Sequence, residues 1–241
     1  MPELPEVETV CRGLASSLEG SCFAHVTVRR SDLRIPFPKN FAANLKGRKI
    51  CKIYRRAKYI LMSLDDGNAL IIHLGMSGRM VISKKSARAE THDHVVFTTD
   101  SGVEVRYNDP RRFGLMTLAP EKDLDDHKLF SHLGVDPLSE AFSPEMLARA
   151  LKGRSTAIKP ALLDQRIIVG VGNIYACESL HRAGISPRRK AGTITKKRAL
   201  CLVRAIKDVL DEAISAGGSS LRDHVQPTGE LGYFQHAWKV Y

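Results

Sequence analysis

Between residues 22 and 118 the chain repeats one texture, a short β-rich run followed by a turn signal. FAHVTVRR (23–30), KICKIY (49–54), YILMSL (59–64), ALIIHL (69–74), GRMVIS (78–83), HVVFTT (94–99), VEVRY (103–107) and FGLMTL (113–118) are each about as long as a strand. Asp65-Asp66-Gly67-Asn68 and Asp100-Ser101-Gly102 supply turns between them. Eight such runs predict a β-sandwich or barrel.

Helical patterns flank this block. Val7, Val10, Leu14 and Leu18 recur at helical spacing, Pro5 suits a first helical position, Glu6 and Glu8 suit a first turn, and Gly20 suits a stop. The stretch 119–142 is polar and turn-rich, with Pro120, Gly134 and Pro137. Beyond it, Ser143-Pro144 opens a helix, a second covers about 157–164, and a third runs from Asn173 to Gly184. The longest spans about 196–216, with Leu200, Val203, Ile206, Leu210 and Ile214 on one face, and Gly217-Gly218 ends it. The expected architecture is α+β and multidomain. Residues 1–132 form an N-terminal helix plus eight-stranded sandwich, 133–142 a linker and 143–241 a helical domain. Residues 217–234 read as a flexible glycine-containing loop.

Charge narrows the partner. Lys and Arg number 37 against 26 Asp and Glu, a net +11. Residues 1–130 carry +5 and residues 131–241 carry +6, so no single basic tail accounts for the excess. A pI near 9.6 points to a polyanion, most often nucleic acid. No apolar run approaches a membrane span, and the acidic, proline-containing start MPELPEVETV is unlike a secretory signal. No membrane partner is expected, and the chain reads as cytoplasmic. The five cysteines are odd in number and contain no CxxC pair, so no disulfide framework or cysteine zinc site is legible.

The terminus carries the sharpest chemistry. Met1 precedes Pro2, a small residue that normally permits removal of the initiator methionine. Proline then presents a secondary amine with a pKa near 8, neutral often enough to attack a carbonyl carbon. The product is an iminium, a permanent cation and hence an electron sink. Glu3 is the adjacent acid. Pro2 and Pro5 also suit the plain role of starting a helix.

Several segments then take on meaning together. PELPEVET (2–9), RRAKY (55–59), HLGMSG (73–78), HDHV (92–95), DPRRFG (109–114), TAIKP (156–160), VGVGNIYA (169–176) and GYFQ (232–235) resemble, in order and across nearly the whole chain, the formamidopyrimidine-DNA glycosylases. These bacterial enzymes remove oxidised purines. The sister endonuclease VIII-like family typically begins PEGPE; Leu4, Met76, Arg111 and Phe113 look like the purine branch.

The resemblance implies a helix–two-turn–helix motif in the helical domain, duplex DNA in the cleft between domains, and a flipped target nucleotide. Pro2 would attack C1′ and form a Schiff base, Glu3 would protonate the ring oxygen, and Lys58 would contact phosphate and assist β-elimination, with δ-elimination following. Glu6 would support. Met76 and Phe113 would fill the vacated stack and Arg111 would face the orphaned cytosine. His73, His92, Arg154, Lys159 and Asn173 would contact phosphates. Arg154 stands where the family often has lysine. The expected function is that of a bifunctional base-excision-repair glycosylase and abasic-site lyase acting on 8-oxoguanine, formamidopyrimidines and abasic sites in double-stranded DNA, as a monomer at the nucleoid.

One departure is plain. The family continues into a four-cysteine zinc finger, whereas this sequence stops at Val240-Tyr241. No zinc ligands are present, no other cofactor is implied, and His92-Asp93-His94 lacks further ligands for a metal site. The finger's arginine is missing too, so excision is expected to be impaired. An oxidised-pyrimidine glycosylase and a non-catalytic damaged-DNA-binding protein stand as alternatives.

Overall fold

The computed structural model describes residues 1–83, 90–219, 227 and 232–241. Eight strands form: β1 (Phe23–Val28), β2 (Ile50–Arg56), β3 (Tyr59–Leu64), β4 (Asn68–His73), β5 (Arg79–Ser83), β6 (Asp93–Thr99), β7 (Glu104–Asn108) and β8 (Leu115–Pro120). They pair antiparallel as two four-stranded sheets, β1-β6-β7-β5 and β2-β3-β4-β8. The sheets therefore close as a sandwich. Phe23, Phe97 and Tyr107 from one meet Ile60, Ile72 and Met116 from the other in a single core.

β3 and β4 are apolar on both faces, as near-continuous runs such as ALIIHL require. Their second face, Leu61, Ala69 and Ile71, packs under Leu124 and Phe130. The polar stretch after β8 thus doubles as a cover for this sheet, which its composition conceals.

α1 (Leu4–Leu18) starts three residues before Val7, the first residue of its apolar period. Val7, Val10, Leu14 and Leu18 enter the sandwich core, while Leu4 enters the core of the helical part. One helix is therefore keyed into both cores, which fixes the chain's first residues between them. A five-residue α2 (Phe41–Leu45) was not foreseen; it is too short to show a period.

α3 (Pro144–Leu151), α4 (Ile158–Leu163), α5 (Asn173–Arg182) and α6 (Lys196–Ser215) follow. Ser143 and Thr195 cap α3 and α6, each side chain accepting from the backbone N–H three residues on. The buried stripe of α6 runs through Ala199, Leu202, Val203, Ile206, Val209 and Leu210. Leu200 was expected in that stripe but is 58% exposed. It lies ~100° around the helix from Ala199, off the axis that Leu202 and Ile206 define. Among the described residues no helix is long and apolar enough to cross a membrane.

Candidate active site

The N-termini of α1 and α5 meet head to head. Glu3 caps α1 in a reciprocal box, and its N–H donates to Glu6 Oε2 at 2.8 Å. The Leu4 N–H donates to the Gly170 carbonyl at 3.0 Å. Glu3's carboxylate then accepts from the N–H groups of Gly172 (2.7 Å) and Ile174 (3.0 Å) at the start of α5. Burial pushes its pKa up to about 7; Lys58 and the two N–H donors pull it down, and Glu6 pushes it further up. A carboxyl poised at neutrality is suited to general acid work. Glu6 Oε1 accepts from the Tyr175 hydroxyl at 2.5 Å and the Ser219 N–H at 2.8 Å, tying α1 to α5 and to the residue that follows Gly217-Gly218.

Gly172 has no room for a side chain, since a Cβ would lie 2.4 Å from Glu3 Cδ. Gly172→Ala is expected to displace the Glu3 carboxylate and cut the rate of the step that Glu3 serves by roughly 10- to 100-fold, measured by single-turnover kinetics. An unchanged rate would show that the carboxylate's position is immaterial.

Lys58 sits in the two-residue hairpin between β2 and β3, beside Ala57, which takes a left-handed φ of 53°. A solvated basic turn would leave it exposed, yet it is 8% exposed. Burial lowers its pKa, opposed by Glu3 and Glu6. A cavity of about 440 Å³ opens here, lined among others by Met1, Arg34, Lys58, His73, Gly172 and Asn173. Pro2 is buried, while Met1 is exposed at this cavity. His73 Nδ1 accepts the Gly75 N–H at 3.0 Å, which leaves the ring proton on Nε2. Burial first, then Lys58 and Arg34, lower its pKa to about 4, so at neutral pH it is an uncharged donor.

Two loops stand exposed beyond the cavity. Met76 is 40% and Phe113 47% exposed, and the Arg111 guanidinium stacks 4.8 Å over the Phe113 ring. Asp109, wholly buried, holds both loops. Its carboxylate accepts from Ser77 Oγ (2.6 Å), Tyr107 OH (3.0 Å) and the Gly114 N–H (2.9 Å), while its carbonyl lies 2.9 Å from His94 Nε2. Ser77 Oγ in turn accepts the Arg111 N–H at 3.2 Å. Gly75 packs so close to this second loop that a Cβ would lie 2.4 Å from the Phe113 carbonyl carbon. Sequence reasoning missed Asp109. The one available signal was an acidic residue opening a turn full of cations.

Residues 1–116 match the model of the formamidopyrimidine-DNA glycosylase N-terminal domain, and residues 133–225 that of the family's H2TH domain. The chain belongs to the formamidopyrimidine-DNA glycosylase family. Formamidopyrimidine-DNA glycosylases of Ruegeria pomeroyi and Jannaschia sp. are 54% and 55% identical to it, matching 100% of this chain and 88% of each relative. The crystal structure of MutM (Fpg) from Thermus thermophilus is 38% identical with a TM-score of 0.88, covering 100% of this chain and 87% of that one. A Lactococcus lactis Fpg mutant in complex with Fapy-dG-containing DNA is 30% identical with a TM-score of 0.91, covering 98% and 87%.

Of the expected site residues, Lys58, His73 and Asn173 line the cavity with Met1 and Gly172, Glu3 accepts from the Gly172 N–H behind it, and Met76, Arg111 and Phe113 form a second group on the paired loops. His92 lies apart, exposed in a polar cavity of about 430 Å³ with Arg29, Arg30 and Arg112. Lys159 is half-buried on α4. Arg154 is turned partly inward, with Nε on the Ala150 carbonyl at 2.9 Å and a guanidinium nitrogen 3.6 Å from Asp164. Of the expected loop 217–234, residues 220–226 and 228–231 lie outside the described residues. The five cysteines are unpaired, and among the described residues no three His, Cys, Asp or Glu side chains gather to hold a metal. The family's zinc has no fitting ligand set there.

Proposed function

We propose that this chain, acting as a monomer on duplex DNA, excises oxidised purines such as 8-oxoguanine and formamidopyrimidines and then cleaves the strand as an abasic-site lyase. The observation that carries this reading is Glu3, a buried carboxyl next to Pro2 with a pKa of about 7. Loss of Met1 frees the Pro2 amine beside the cavity that holds Lys58. The neutral amine attacks C1′, the glycosidic bond breaks with its electron pair leaving on the base, the base takes up the proton that the amine nitrogen loses, and Glu3 gives its proton to the ring oxygen as the nitrogen lone pair opens the sugar to an iminium. The resulting iminium acidifies the C2′ proton; the Glu3 carboxylate, ionised by the preceding step, takes it, the C3′–O bond breaks with its electron pair leaving on the 3′ phosphate, and Lys58 receives that phosphate. A second elimination expels the 5′ phosphate. Met76 and Phe113 fill the gap left by the flipped nucleotide, with Arg111 opposite the orphaned base. His73, His92, Arg154, Lys159 and Asn173 hold the backbone, His73 through a neutral Nε2–H. A division into 1–132, a 133–142 linker and 143–241 fits two separate cores with α1 bridging them.

Borohydride reduction on an 8-oxoguanine duplex and on an abasic duplex tests this. Protein lacking Met1 is expected to give a covalent adduct with both, and protein with a blocked N-terminus none, because an acylated proline nitrogen has no lone pair to donate. Full trapping by the blocked form would place the nucleophile elsewhere.

A further inference from the structure

The segment 188–198 holds six cations with no evident structural duty. Arg188, Lys190, Lys196, Lys197 and Arg198 are exposed and Arg189 half-exposed. Among the described residues none of the six side chains makes a hydrogen bond or ion pair. Three of them occupy the first turn of α6, which contains no acidic residue. Cations there add to the positive end of the helix dipole and repel one another, so this arrangement opposes folding rather than aiding it. An anion laid across it reverses both effects.

The backbone places this cluster beside the phosphate-contacting edge proposed above. Lys190 bridges antiparallel to Ala157, the Ile158 N–H donates to the Arg189 carbonyl at 2.7 Å, and the Gly192 N–H donates to the Arg154 carbonyl at 2.9 Å. Arg154, Lys159 and Arg188–Lys190 therefore lie on adjoining strands of chain, with the first turn of α6 just beyond. α4, six residues long and thus ~9 Å, separates this edge from Leu163 in the wall of the cavity. Such a distance is about three base-pair steps of duplex at ~3.4 Å per step.

We propose that Arg188, Arg189, Lys190, Lys196, Lys197 and Arg198 form a second contact for the DNA backbone, reading phosphates a few base pairs from the lesion and extending the footprint along one arm of the duplex. This inference rests on the duplex-DNA reading above. The cluster holds undamaged flanking DNA and takes no part in the chemistry.

The test compares the native protein with two six-fold variants, one with all six residues changed to Ala and one with each Lys and Arg exchanged for the other. Binding is measured against salt on a lesion duplex of about 30 base pairs and on two short ones in which one arm or the other stops about two base pairs from the lesion. On the long duplex the Ala variant is expected to bind roughly 10- to 100-fold more weakly, and its log–log salt slope to shrink by about 3 to 5. The charge-exchanged variant should retain native affinity and slope, and all three proteins should bind and trap equally on the short duplex that lacks the contacted arm. An Ala variant that keeps the native slope on the long duplex overturns the proposal. So does one that loses binding only to vesicles of anionic lipid. Absence of trapping by the native protein overturns the glycosylase reading instead, and the long-duplex comparison on undamaged DNA still decides this one.

Discussion

Glu3→Gln is expected to slow single-turnover excision of 8-oxoguanine by about 10²- to 10⁴-fold, the usual worth of a positioned general acid. The pH profile identifies the role. With a proline amine near 8 and Glu3 at about 7, the productive form has the amine neutral and Glu3 protonated. Only ~5% of the enzyme is in that form at mid-range. The native rate should rise to about pH 7, stay level to about 8 and fall above it. In Glu3→Gln the fall disappears, and the residual rate climbs to about pH 8 and holds. Stability moves the other way. Because Glu3's folded pKa lies above its ordinary 4.5, the folded state binds the extra proton, and stability is lost as pH rises from there through about 7. The loss is at most ~3 kcal/mol at ~1.4 kcal/mol per unit. Glutamine escapes it but offers a single acceptor oxygen to two N–H donors. Glu3→Gln should therefore be more stable than the native protein at pH 8 by roughly 1 kcal/mol or more and lose that advantage at pH 4. Thermal melts at both pH values check this; a gap that does not widen with pH would mean that Glu3 is ionised at little cost.

The strands were legible because they are short β-rich runs, several of them set apart by turn signals, and α6 because twenty residues show a period clearly. Its error, Leu200, came from choosing among neighbouring stripes that differ by one residue; tertiary contacts make that choice. The cover over β3 and β4 was readable in principle, since a strand apolar on both faces demands two partners. Motif order singled out Pro2, Glu3 and Lys58 as one set. What it could not supply was their electrostatic state. Glu3 is raised by burial against α5, 170 residues away in sequence, and Lys58 sits in a segment whose composition, Arg55-Arg56-Ala57-Lys58, reads as surface. Asp109 was invisible for a related reason. Its partners at 77, 94, 107 and 114 converge only when β4, β6, β7 and β8 are paired.

Asp109 carries the second large expectation. Removing its carboxylate strands Ser77 Oγ, the Tyr107 hydroxyl and the Gly114 N–H in a site with no access to solvent. Each buried group left unsatisfied costs about 1–3 kcal/mol, so Asp109→Ala should lose roughly 3–5 kcal/mol of stability. Asp109→Asn keeps the volume but turns an N–H₂ toward hydrogen-bond donors, and should lose about 2–4 kcal/mol. The functional consequence follows from what the carboxylate spans. Met76 on one loop and Arg111 and Phe113 on the other are presented as a unit only while Asp109 joins the loops. Extruding a stacked base needs that unit more than acting on a nucleotide whose base is already gone. In Asp109→Asn, measured at a temperature where it stays folded, excision from an 8-oxoguanine duplex should fall at least about tenfold further than strand cleavage at a preformed abasic site. Global loosening alone would depress both rates together, because in the proposed mechanism Pro2, Glu3 and Lys58 serve both reactions. Equal losses would reduce Asp109 to a packing residue and leave the wedge loops to hold themselves.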